Sequence, residues 1–108
     1  MFIIRDLPLK LNRGVHVRGQ GQKLDLVITS IIEEEEKFRS ATLEVRGHTA
    51  RGDYAVGLTI GEMTELNGGL RVKIREGNRG PLLSCHLEGY SCSGSKEYRP
   101  KVHEYSTP

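Results

Sequence analysis

The alternation of apolar and polar side chains, interrupted by glycine turns, constrains the fold of this chain more than any other feature. Residues 70–75 read Leu-Arg-Val-Lys-Ile-Arg, so every second side chain is apolar. A period of two is typical of a β-strand that buries one face and exposes the other. Asn67-Gly68-Gly69 precedes this run and predicts a tight hairpin turn, because Asn and Gly accept positive φ angles.

Further short runs, some alternating and one at the start simply apolar, predict a mainly β fold. They lie at residues 1–5, 15–18, 23–29, 41–46, 54–60 and 82–87. The chain has 13 glycines in 108 residues, and these are scattered between the runs. We expect a small antiparallel barrel or sandwich of about six to seven short strands, with at most one short helix.

Residues 31–39 fit two local structures. Glu33 and Lys37, four residues apart, would form a favourable ion pair on a helix. The β-branched pair Ile31 and Ile32 and the absence of an N-cap residue oppose a helix. The sequence therefore favours a strand followed by a solvated turn, with a helix as the alternative.

The chain is predicted to hold one β domain over residues 1–92 and an extended or flexible C-terminal tail over residues 93–108. The tail contains few apolar residues and two prolines, Pro100 and Pro108. No apolar run is long enough to span a bilayer, and the first residues do not resemble a signal peptide. We therefore expect a cytoplasmic protein that does not contact a membrane.

Cations alternate with the apolar residues of the strand at 70–75. Arg71, Lys73 and Arg75 are expected to point away from the core, and Arg79 follows in the next turn. Successive outward positions on a strand lie about 6.6–7 Å apart, close to the phosphate spacing of an extended nucleic-acid backbone. The predicted nucleic-acid or polyanion-binding residues are Arg71, Lys73, Arg75, Arg79, Arg46 and Arg51.

Aromatic and imidazole rings would add stacking surfaces beside these cations. His86, Tyr54 and Tyr90 are the candidates. Two other interpretations of the basic strand remain open. Its cations could belong to an edge strand and prevent pairing with neighbouring molecules. They could also bind an acidic patch on another protein.

The cysteines and histidines do not predict a metal site, a cofactor or an enzyme. Cys85, His86, Cys92 and His103 lack the close cysteine spacing of the common zinc sites. In a strand, Cys85 and His86 would also point to opposite faces. Two cysteines do not make a disulfide framework, and the sequence leaves open whether Cys85 and Cys92 are paired.

The sequence thus predicts a small non-catalytic binding module that contacts nucleic acid or another polyanion through a basic strand face. The alternative is a protein–protein interaction or assembly module of the viral or mobile-element type. Such a module would form a homo-oligomer through its strand edges and C-terminal tail. No motif identifies a family, so no site residues are carried over from one.

Overall fold

The computed structural model of the chain describes residues 2–47 and 52–100, which form two antiparallel sheets packed face to face. The ten strands are β1 (Phe2–Pro8), β2 (Arg13–Gly19), β3 (Gln22–Glu34), β4 (Lys37–Gly47), β5 (Tyr54–Thr59), β6 (Thr64–Asn67), β7 (Leu70–Gly77), β8 (Gly80–Glu88), β9 (Tyr90–Cys92) and β10 (Lys96–Glu97).

One sheet has four strands in the order β1-β8-β7-β6. The other has the order β10-β2-β3-β4-β5, and β9 also pairs with β2, beside β10. The mainly β prediction is confirmed, and the fold is a sandwich rather than a closed barrel. Ten strands replace the expected six or seven because β6, β9 and β10 have only four, three and two residues, too few to show alternation. No helix occurs in the described residues.

The core lies between the sheets and is built from the apolar side chains of the alternating runs. Leu70, Val72 and Ile74 of β7 are fully buried, and so are the inward residues of β8. The opposing sheet contributes mainly from its long central strands. Its fully buried core residues there include Leu24, Leu26, Ile28, Leu43 and Val45. Each such side chain contributes about 1.5–3 kcal/mol to the hydrophobic free energy of folding.

Residues 31–39 form the end of the long β3–β4 hairpin, so the strand-and-turn interpretation is the one the structure shows. β3 ends at Glu34 and β4 begins at Lys37. The two turn residues, Glu35 and Glu36, have φ angles of 51° and 62°. Phe38, just beyond the turn, is buried and packs in the core, which anchors this end of the hairpin.

The first part of the predicted tail is ordered against the six-stranded sheet. Lys96 and Glu97 pair with β2, and the Tyr98 backbone N–H donates to the Asn12 carbonyl at 2.7 Å. The Tyr98 hydroxyl also donates to the Asp25 carboxylate at 2.7 Å. Residues 101–108 lie outside the described part of the chain. Within residues 2–47 and 52–100 there is no helix with the length and apolar character needed to cross a bilayer.

The β3–β4 turn generates a stability prediction. Residues other than Gly and Asn destabilise the fold by about 1 kcal/mol or more when they adopt a positive φ. Asn-Gly is the preferred pair in such turns. Replacing Glu35→Asn and Glu36→Gly together is therefore expected to raise the free energy of unfolding by about 1 kcal/mol. Urea denaturation measures the change as a higher midpoint.

Glu34→Gly is the matched control, because it removes a glutamate from the same hairpin without relieving a positive φ. Glycine inside a strand should lower stability by about 0.5–1 kcal/mol. An unchanged or lower midpoint for the double variant would contradict the strain assigned to the turn.

Candidate nucleic-acid interface

The outer face of the four-stranded sheet carries three of the six cations predicted to bind a polyanion, Arg71, Lys73 and Arg75. Because Leu70, Val72 and Ile74 point into the core, the residues between them point outward. Side chains from β1 and β8 extend the same surface through cross-strand pairing. We call this surface the basic face and define it by Phe2, Ile4, Asp6, Arg71, Lys73, Arg75, Ser84 and His86.

The basic face is ordered in cross-strand rows. In one row, Ile4 of β1 pairs with His86 of β8, and His86 pairs with Arg71 of β7. In the next row, Asp6 pairs with Ser84, and Ser84 pairs with Lys73. Neighbouring strands are about 4.8 Å apart and neighbouring rows about 7 Å apart. Arg71, Lys73 and His86 therefore lie next to one another.

The strand that carries these cations is not an edge strand. β7 lies between β8 and β6 in the sheet order. β6 pairs with the beginning of β7, and further along the Gly61 backbone N–H donates to the Ile74 carbonyl at 2.9 Å. Interior strands do not need cations to prevent pairing with neighbours. The edge-strand interpretation is therefore wrong, and the cations of β7 belong to the solvated outer face of the sheet.

Asp6 lies within the basic face and binds one of its cations. Its carboxylate accepts a hydrogen bond from the Ser84 hydroxyl and forms an ion pair with Arg75 at 2.6 Å. Burial alone would raise the pKa of Asp6. The hydrogen bonds from Ser84 and Arg75 and the guanidinium charge outweigh burial and hold the pKa below its usual value. Arg75 is thus already partly neutralised.

Arg71 and Lys73 have no ion pair with any residue that the structure describes. Both act on His86, whose pKa is lowered first by burial and then by the charges of Lys73 and Arg71. Asp6 opposes that shift with its negative charge. Two unpaired cations beside an imidazole held towards its neutral form favour the approach of an anion.

Phe2 and Ile4 are members of the basic face that sequence reasoning missed. They are 52% and 51% exposed, and the Phe2 ring contacts the His86 ring edge-on at 5.9 Å between centroids. The apolar run at residues 1–5 could have indicated that some of its large side chains are exposed. A strand at the edge of a sandwich packs only one face against the core. Every second side chain of an apolar run on that strand therefore remains in water.

Two glutamates border the cations. Glu65 of β6 pairs with Arg71, and Glu88 of β8 pairs with Phe2. Both are exposed. The positive region is therefore a narrow track along β7, bordered by carboxylates, rather than a broad patch.

The other predicted residues have different positions. Arg79 is exposed in the turn between β7 and β8. Arg46 lies on β4 of the other sheet, where it binds the Glu44 carboxylate and donates to the Arg99 carbonyl at 3.3 Å. The structure thus does not bring Arg46 together with the cations of β7. Arg51 lies outside the described residues.

The ring candidates divide in the same way. His86 lies on the basic face. Tyr90 is buried in the core, and Tyr54 is half-buried on β5, with its hydroxyl donating to the Leu66 carbonyl at 3.4 Å. Only one of the three predicted rings is therefore available beside Arg71 and Lys73.

A second polar cluster lies on the six-stranded sheet. The His16 Nδ1 and the Tyr98 hydroxyl both bond to Asp25 Oδ1, at 3.0 and 2.7 Å. Ser93 is adjacent, but its hydroxyl accepts from the His16 backbone N–H and donates to the Gly94 carbonyl. Both hydrogen bonds of the Ser93 hydroxyl are thus made with the main chain. The contacts of Ser93 and Tyr98 hold residues 93–98 against β2 and β3.

The two cysteines are free thiols. Burial, with smaller contributions from Cys92 and Asp6, raises the pKa of Cys85 to about 12. Burial also raises the pKa of Cys92, although Arg5 opposes it. Neither thiol is activated as a nucleophile. Among the described histidines, cysteines and carboxylates, no group of three converges as metal ligands.

Comparison of the chain with models of protein families, with curated proteins and with solved structures finds no significant match. No activity or partner is therefore transferred from a relative, and the function rests on the geometry of the basic face.

The electrostatics of this face predict the titration of His86. Its pKa, followed by NMR of the ring protons, should lie below the usual value of about 6.5. Lys73→Met removes a neighbouring positive charge and should raise that pKa. Because the unfolded chain binds this proton more readily, the free energy of unfolding should decrease as the pH falls from 7 towards 5.

Lys96→Met, on β10 of the other sheet, is the control and should leave the His86 titration unchanged. A pKa at or above the usual value in the native chain, or one that Lys73→Met does not move, would contradict the arrangement described.

Proposed function

We propose that the chain is a small non-catalytic binding module that contacts nucleic acid or another polyanion through the basic face. The observation that carries the proposal is the placement of Arg71 and Lys73 beside His86, with neither cation in an ion pair among the described residues. Cations of this kind neutralise phosphates and release counterions.

The dimensions of the positive track limit the ligand. Arg71 and Lys73 are one row apart, about 7 Å, which suits neighbouring phosphates of one extended backbone. Glu65 and Glu88 border the track and would repel phosphates placed further out. With only two or three phosphates neutralised, binding is weak and sensitive to salt. The proposed location is the cytoplasm, where the free thiols of Cys85 and Cys92 would stay reduced.

Charge reversal tests the proposal. Fluorescence anisotropy of a labelled single-stranded oligonucleotide at low salt should detect binding by the native chain. The logarithm of the association constant should fall with the logarithm of salt concentration with a slope of about −1.4 to −2.1. Replacing Arg71→Glu and Lys73→Glu together should weaken binding at least about tenfold, because two attractive charges become repulsive.

The matched control replaces Lys10→Glu and Lys23→Glu, two exposed lysines away from the basic face. It changes the net charge equally and should retain most of the affinity. An equal loss in both double variants would mean that net charge alone drives binding. No binding by the native chain at low salt would contradict the proposal outright.

A second candidate function, self-assembly, is favoured by the edge of the same sheet. β1 is a seven-residue edge strand, and it exposes two large apolar side chains, Phe2 and Ile4. Such an edge can pair with the same strand of another copy. In the described part of the tail, Lys96 and Glu97 pair with β2 of their own chain.

Light scattering during size-exclusion chromatography tests assembly. If β1 pairs between copies, the molar mass should rise with concentration over the micromolar to millimolar range. Ile4→Lys should abolish the rise, because a charged side chain on an edge strand opposes pairing. Leu11→Lys, at an exposed residue between β1 and β2, should not. A monomer at every concentration would exclude this candidate.

A further inference from the structure

We infer that the ligand of the basic face is single-stranded nucleic acid and that Phe2 is the platform on which one of its bases stacks. This inference rests on the proposed polyanion function and specifies its ligand. It rests on three observations: the exposed ring of Phe2, its contact with His86, and the pairing of His86 with Arg71 of β7.

The exposure of Phe2 is the first observation. About half of this side chain lies in water on a surface that is otherwise mainly polar. Leaving a large apolar side chain in water forfeits a substantial part of the roughly 1.5–3 kcal/mol that its full burial would contribute. An exposed ring in contact with a histidine that pairs with Arg71 has the character of a ligand contact.

The orientation of Phe2 is the second observation. The Phe2 and His86 rings meet at an interplanar angle of 62° with their centroids 5.9 Å apart. This edge-on contact holds the Phe2 ring against β8 and limits its rotation. Because burial and the charges of Lys73 and Arg71 lower the pKa of His86, the imidazole is biased towards its neutral form, which also stacks with bases.

The spacing between ring and cations is the third observation. His86 pairs directly with Arg71, and Phe2 pairs with Glu88, one row further along β8. Phe2 is thus two strands and one row away from Arg71, or roughly 12 Å between Cα atoms. Both side chains are long enough to shorten that separation. A nucleotide whose phosphate contacts Arg71 would have its base directed across the sheet towards Phe2.

These features favour a single strand over a duplex. In a duplex each base is stacked on both faces, so a ring on a flat sheet cannot reach it. In a single strand the bases are free to stack on aromatic side chains, and every base offers a π-face. Glu65 and Glu88 would also repel the phosphates of a second strand.

The experiment compares three probes of about twelve nucleotides, within the usual range of site sizes for single-strand binders. One is a thymidine oligonucleotide, one has the same backbone without bases, and one is the thymidine oligonucleotide annealed to its complement. Anisotropy at low salt should show the thymidine probe binding about tenfold more tightly than the base-free probe. The duplex should also bind more weakly than the thymidine probe.

Phe2→Leu keeps an apolar side chain and removes the ring. It should lose about tenfold in affinity for the thymidine probe and leave binding of the base-free probe unchanged. Phe2→Tyr should restore the native affinity. Leu11→Ala, at another exposed apolar residue, is the control and should have no effect on any probe. If Phe2→Leu does not fold, the comparison of the three probes with the native chain decides the question.

Each failure has a distinct meaning. Equal affinity for the thymidine and base-free probes, both lost on Arg71→Glu and Lys73→Glu, would overturn base stacking and leave the polyanion function intact. Tighter binding of the duplex than of the thymidine probe would overturn the inference as well. Absence of binding to all three probes would overturn the inference together with the proposed function.

Discussion

The burial of one face of each sheet is the constraint on which the rest of the structure depends. Leu70, Val72 and Ile74 of β7 are fully buried against the strands of the opposite sheet. Since side chains alternate along a strand, this burial forces Arg71, Lys73 and Arg75 to the outside. A shift of one residue in the pairing of β7 would place three cations in the core, so the hydrophobic effect fixes the register and with it the basic face.

The pairing of β7 with β8 and of β8 with β1 then determines which side chains lie beside those cations. Ser84 and Asp6 follow Lys73 in one row, and His86 follows Arg71 in the next. Asp6 neutralises part of the charge of Arg75, whereas Arg71 and Lys73 have no ion pair in the described part of the chain. Three cations and one carboxylate make the face itself positive, but Glu65 and Glu88 at its border offset that charge. The face therefore fits a weak, salt-sensitive ligand better than a tightly bound one.

The sequence predicts the parts of this account that depend on periodicity. Alternation in residues 70–75 is enough to place the cations outside and the leucine, valine and isoleucine inside. Strand order is not encoded locally, so the sequence could neither exclude an edge position for β7 nor place Arg46 on the other sheet. The position of Phe2 on this face could not be predicted, because its cross-strand neighbour Glu88 and its diagonal neighbour His86 are more than eighty residues away in the sequence. The short strands β9 and β10 lack a pattern of their own and exist because the edge of β2 offers unpaired backbone groups.

The most direct test of the central claim is an NMR titration of the isotope-labelled chain with a single-stranded oligonucleotide at low salt. The account predicts that the amide shifts that change most belong to β1, β7 and β8, and that the ring signals of Phe2 and His86 move with them. Changes concentrated on β2 to β5, or no change at any oligonucleotide concentration, would contradict the assignment of the basic face as the binding surface.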